Sequence, residues 1–135
     1  MIKILQGNCL DKLKELPDQS INTCITSPPY WGLRDYGEYK QLGMEDTPEE
    51  FVENLVQVFR EVKRVLRDDG TVWLNLGDSY CGTGNKGNYT DPKHKEGRNG
   101  QKIALNNKIE GFKSKDLVGI PCLLYTSDAA DESTG

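Results

Sequence analysis

Three stretches follow one another in this chain: the apolar run INTCIT at residues 21–26, a helix-like stretch opened by Thr47-Pro48-Glu49-Glu50, and the run TVWLNL at residues 71–76. That alternation limits the fold more than any other feature. The threonine, with glutamate three residues on and proline at the first helical position, is a capping box, and Phe51, Leu55, Val58, Val62 and Val65 then recur at helical spacing. Asp68-Asp69-Gly70 follows, where glycine is expected to supply the left-handed turn that ends the helix. Strand, helix and strand joined in this way predict a right-handed crossover and a largely parallel sheet with helices on its faces. The apolar content of residues 21–26 predicts a strand buried on both faces.

Upstream, residues 2–5 alternate weakly and read as a further strand. Gly7-Asn8 reads as a turn and cap for a brief helix over residues 9–16, ended by Pro17-Asp18. In open α/β sheets ligands bind beyond the carboxyl ends of the strands. Asn8, Ser27 to Tyr30 and Asp78 each lie just past such an end, which places them on one edge. A chain of 135 residues holds one domain with a modest core.

With 36% hydrophobic and 28% charged residues the composition is that of a soluble globular protein, and no apolar run approaches the length of a membrane span. The opening MIKILQG has no long apolar segment and no small-residue cleavage site, so a cytoplasmic protein without membrane attachment is expected. Cys9, Cys24, Cys81 and Cys122 are too widely spaced for paired zinc ligands; free thiols and no metal are expected.

Charge is unevenly placed. Residues 81–115 hold eight lysines and arginines against three acids, a surplus of five; because the whole chain carries −4, the remainder carries −9. Such a segment on an acidic body is either a solvated loop or a local contact for a polyanion, with Lys86, Lys93, Lys95 and Arg98 as candidates for the DNA backbone. His94, alone in that segment, is given no ligand role. Gly82-Thr83-Gly84-Asn85-Lys86-Gly87 matches GxGxxG after a strand, but no helix pattern follows, Pro92 comes soon after, and no second strand presents an acid at the required distance. It is read as loop.

The stretch CITSPPYWGLRDYG carries the chemistry. Two prolines fix their own φ and push Ser27 toward extended geometry at the tip of the strand. The Ser27 hydroxyl and the Pro28 carbonyl are then acceptors for two protons of one amino group, and Tyr30 offers a flat face for stacking. An exocyclic base amine is a poor nucleophile because its lone pair is delocalised into the ring. Two acceptors on its protons favour a pyramidal nitrogen, so accurate placement matters more than a strong base. A base inside a duplex must first be flipped out to reach such a site.

TSPPY, with GNCLDKLKELPDQSINTCI before it and WGLRDYG after it, resembles the amino-methylating DNA methyltransferases, whose hallmark is [DNS]PP[YFW]. The likeness continues through VLRDDGTVWLNLGDSY and returns at KDLVGIP, so it covers much of residues 1–121. It implies a partial Rossmann-like, S-adenosylmethionine-dependent methyltransferase fold: α/β, with a mostly parallel sheet and flanking helices. It implies Ser27, Pro28, Pro29 and Tyr30 as the catalytic motif, S-adenosylmethionine as methyl donor and double-stranded DNA with a flipped target base as partner. It also implies Gly7, Asn8 and Cys9 at the cofactor, where family members usually carry Asp in place of Asn8. The reading of Asn8 as a plain helix cap stays open beside it. Serine at the head of the tetrapeptide is more like the cytosine-N4 members, and adenine-N6 is the alternative.

Only 26 residues precede Ser27, too few for a glycine-rich cofactor loop, its helix and an acidic ribose-binding strand. The order resembles the permuted beta group, in which the catalytic half comes first. Residues 1–80 are then the catalytic part, 81–115 a basic, glycine-rich target-recognition segment, and 116–121 the start of the cofactor half. The tail CLLYTSDAADESTG, residues 122–135, lacks apolar periodicity beyond Leu123-Leu124 and resembles translated sequencing-adapter read-through, so it is left out of the expected fold. On this reading the chain is a catalytic fragment that lacks its glycine motif, in a restriction-modification or phage setting, and a C-terminal half or complementing chain would complete it. The competing readings are a non-catalytic DNA-binding remnant and an enzyme acting on RNA. Trp31 is read as either a stacking residue near the flipped base or core filler. Arg34 is read as either a phosphate contact or a partner of Asp35.

Overall fold

The computed structural model describes residues 1–82, 102–103 and 109–127. The elements run α1 (Cys9–Lys14), β1 (Ile21–Thr26), β2 (Arg34–Asp35), α2 (Pro48–Val65), β3 (Leu66–Leu74), β4 (Lys102–Ile103) and α3 (Ile120–Tyr125). β1 and β3 pair in parallel with α2 as the crossover, the α/β arrangement that the strand-helix-strand alternation predicts. Among the described residues no helix is long and apolar enough to cross a membrane. None of the four cysteines forms a disulfide.

α2 forms as its cap dictates. Thr47 Oγ1 accepts the Glu50 amide at 3.2 Å, Pro48 stands in the first turn with Glu49 and Glu50, and Lys63 and Arg64 occupy the last. Each charge complements the helix dipole. Its apolar stripe, with Phe51 and Leu55 fully covered, meets Trp31 from the turn after β1 and Val118, Ile120 and Leu124 from the α3 segment. Burial of side chains of this size contributes about 1.5–3 kcal/mol each. The core therefore lies between α2, the residues after β1 and the residues around α3.

Four sequence expectations change. Residues 2–5 form no strand: Ile2 and Ile4 are exposed, and among the described residues no strand runs alongside to take up their backbone hydrogen bonds. β1 is not buried on both faces. Its register pairs Cys24 with Val72 and Ile25 with Trp73; Val72 lines a groove beside α2, while Ile25 and Trp73 are 80% and 66% exposed on the other face. One helix layer covers one face of a two-stranded sheet.

α2 ends at Val65, and Gly70 supplies no left-handed turn. The chain enters β3 at Leu66, with an irregularity between Ile21↔Leu66 and Thr23↔Thr71 that extrudes Asp68, Asp69 and Gly70 as a bulge. Gly70 is needed there for close approach: a Cβ would meet Arg67 O at 2.9 Å and Asn22 O at 3.1 Å. Lastly, the residues set aside as tail begin inside an element, since α3 runs on through Tyr125 and Leu124 is buried. Ile120 and Leu124, four residues apart, form the buried face of this short helix, a single pair that a search for longer periodicity passes over.

Candidate active site

The Ser27–Tyr30 turn grows from the end of β1. The ladder continues one step past the strands, with Asn75 N donating to Thr26 O at 3.0 Å, so residues 75–77 run beside the departing chain. Ser27 is exposed, and Pro28, Pro29 and Tyr30 are half-buried. Among the described residues, neither the Ser27 hydroxyl nor the Pro28 carbonyl engages a protein partner. Among the described residues, both acceptors are thus open at the strand tip.

What holds the turn lies outside the tetrapeptide. Trp31 is 2% exposed and its Nε1 donates to Glu45 O at 2.8 Å, so the ring fills the core and this conformation withholds it from DNA. The Glu45 carboxylate accepts Gly43 N at 2.8 Å and Asn54 Nδ2 at 3.0 Å, which ties the turn to α2. Gly32 N donates to Gly43 O at 2.7 Å. Gly43, at φ +98°, lies so close to the motif that a Cβ would meet Tyr30 O at 2.9 Å and Pro29 Cβ at 3.4 Å. Ser79 Oγ donates to Trp31 O at 2.7 Å. Sequence reasoning passed over Gly43, Glu45, Gly77 and Ser79; a glycine directly after the run TVWLNL was the available signal for Gly77.

Asp78, expected at the strand edge, is a cap. Its carboxylate accepts the amides of Ser79, Gly119 and Ile120, covering the start of α3. Tyr80 bridges antiparallel to Leu117, and Cys81 exchanges backbone bonds with residues 115 and 116. Residues 78–82 therefore clasp the KDLVGIP segment against the Ser27–Tyr30 turn.

The proposed cofactor residues precede and open α1. Asn8 Oδ1 accepts Leu10 N at 2.9 Å, the cap that its position predicts, while Gly7 and Cys9 are exposed. Among the described residues no hydrogen bond joins residues 7–9 to residues 27–30. Arg34 lies in β2, paired antiparallel with Lys102–Ile103, so part of the basic segment runs along the strand that follows the motif. Asp35 Oδ1 accepts Gly37 N at 2.8 Å. Lys86, Lys93, Lys95, Arg98 and most of the GxGxxG stretch lie outside the described residues. An apolar groove of about 430 Å³ between α2, β3 and α3, lined by Phe59, Leu74 and Leu124 among others, has no wall from the Ser27–Tyr30 turn.

The model of a protein family described as DNA methylase (N6_N4_Mtase) matches residues 21–121, which contain the whole turn and its clasp. This chain belongs to that family. The type II methyltransferase M.XycI of Xanthomonas campestris pv. cyanopsidis is 48% identical over 87% of this chain and 38% of its own length. M.Cfr9I of Citrobacter freundii is 46% identical over the same shares. M.SfiI of Streptomyces fimbriatus is 61% identical over 55% of this chain and 18% of its own length. The chain thus spans about two fifths of the first two relatives. No solved structure gives a significant match.

Proposed function

We propose that this chain is the catalytic part of a permuted, beta-group amino-methylating DNA methyltransferase that forms N4-methylcytosine in duplex DNA. One observation carries the reading: Ser27 Oγ and the Pro28 carbonyl stand unengaged at the tip of β1, beside the Tyr30 ring. A flipped cytosine stacked on Tyr30 directs its amino protons to those two acceptors, and its nitrogen lone pair turns away from the ring system. The membership of the family and the names of the type II methyltransferase relatives support DNA as the substrate.

S-adenosylmethionine is the donor that the family implies. Gly7, Asn8 and Cys9 would hold its adenine. With Asn8 Oδ1 committed to Leu10 N, the amide N–H₂ remains to face a ligand, which suits an acceptor nitrogen of adenine. Once bound, the sulfonium supplies a methyl carbon open to attack. The chain's own part is to orient the base amine and to exclude competing geometries.

The test is methyl transfer by the full chain to unmodified bacterial DNA, followed by hydrolysis and mass spectrometry. N4-methyldeoxycytidine is expected, and is lost on Ser27→Ala and Tyr30→Ala. N6-methyldeoxyadenosine overturns the base assignment, and transfer to RNA in place of DNA overturns the substrate. One other reading is a DNA-binding remnant without donor affinity. Calorimetry with S-adenosylmethionine alone decides between the two, since saturable binding excludes the remnant.

A further inference from the structure

Gly77 lies against the face of the Tyr30 ring. A Cβ built on it would fall on Cε2 closer than any real contact and lie 2.7 and 2.8 Å from Cδ2 and Cζ. Because the two flanking carbons are nearly as close as the central one, the collision is with the ring face; an approach within the ring plane would leave them markedly farther away. Gly43 packs on the backbone of the motif, where its own missing Cβ leaves room for Tyr30 O and Pro29. The ladder bond from Asn75 N to Thr26 O fixes the height of Gly77 relative to the turn. Ser79 Oγ, two residues beyond, bonds Trp31 O and fixes it again.

We infer that Gly77 is a positioning residue, a bare backbone platform that sets the depth of the Tyr30 ring and leaves one ring face to receive a base. This rests on the proposed function, in which Tyr30 is the stacking surface. Stacking energy falls off over fractions of an ångström, because dispersion contacts are lost with a small radial gap. A methyl group at position 77 drives the ring toward the space that the base must occupy.

Two measurements on the full chain test it. In the first, a single-stranded oligodeoxynucleotide carrying the fluorescent analogue pyrrolocytosine is titrated with wild type, Gly77→Ala and Tyr30→Ala. The wild type quenches the analogue on stacking. Gly77→Ala binds with the same midpoint, as fluorescence anisotropy of an end-labelled strand reports, but its quenching at saturation falls several-fold because the stacked fraction of the complex is smaller. Equal quenching by Gly77→Ala overturns the inference and leaves the proposed function standing. A wild type that neither binds nor quenches overturns the proposed function and this inference with it.

In the second, thermal unfolding is compared across wild type, Gly77→Ala, Tyr30→Ala and the double variant. Removing the ring makes room for the new methyl, so the loss of melting temperature caused by Gly77→Ala disappears in the Tyr30→Ala background. This cycle decides the ring contact even where Gly77→Ala alone folds poorly. An equal loss in both backgrounds means that Gly77 accommodates something other than Tyr30.

Discussion

Asp78 accepts the Gly119 amide proton with both carboxylate oxygens, at 3.0 Å each, and so joins the chain leaving β3 to the segment that opens α3. Gly119, at φ +86°, brings no side-chain cap of its own. The carboxylate from 41 residues earlier does that work for it. Asp78→Ala leaves the Gly119 and Ile120 amides without an acceptor in a largely covered position, a loss of about 1–3 kcal/mol. Urea unfolding followed by Trp31 fluorescence measures it, and Asp78→Asn, which keeps one oxygen, loses less.

Arg64 ties α1 to α2. From the last turn of α2 its guanidinium donates to Leu16 O at 3.0 Å and Leu13 O at 2.9 Å, bonds Asp18 and holds Glu61 at 2.9 Å. Those carboxylates raise its pKa further above the ordinary arginine value. The planar fork serves several acceptors at once, which an ammonium group cannot do. Arg64→Lys therefore lowers the melting temperature, and the amides of residues 9–14 lose hydrogen-exchange protection before those of α2.

The four thiols differ in reactivity. Cys9 and Cys122 are exposed, Cys24 is half-buried and Cys81 is buried. Burial raises the Cys24 pKa above the ordinary thiol value, so less reactive thiolate is present at any given pH. With a disulfide reagent at pH 8, Cys9 and Cys122 react first, Cys24 more slowly and Cys81 only on unfolding. The linkage sign follows. The folded state keeps the Cys24 proton after the unfolded state has released it, so stability falls as pH rises through about 9, the unfolded value. Cys24→Ala removes that alkaline loss, as thermal melts at pH 8 and pH 10 will register.

The proposed DNA-backbone role of Lys86, Lys93, Lys95 and Arg98 predicts a salt-dependent affinity, with a slope of about −3 to −4 for log affinity against log salt. Each replacement by alanine makes the slope shallower by about one, and weakens binding to all sequences alike. Filter binding between low and physiological salt supplies both quantities.

Residue types and spacing already indicated the crossover. Thr47, Pro48 and Glu50 mark the start of α2, its apolar spacing marks the buried stripe, and β1 begins and ends where its composition says. Caps and periodicity are interactions within a few residues, so they can be read along the chain. The motif itself was equally visible, because prolines restrict their own backbone and that of the preceding residue whatever surrounds them.

Contacts between distant residues were another matter. Gly70 looked like a helix stop and is a bulge glycine beside Asn22, because the partner strand, and not the preceding helix, determines what a residue in a ladder must avoid. Trp31 was open between stacking and packing until Glu45 appeared opposite its indole nitrogen.

On its own, then, the amino-acid order determined the start of α2, the bounds of β1 and the proline-stiffened turn that follows it, since those preferences act over one or two turns of chain. Only the tertiary structure decided that Gly77 backs Tyr30 and that Asp78 reaches Gly119. Such pairs are created by the parallel ladder and the returning α3 segment, which bring together residues that lie tens of positions apart.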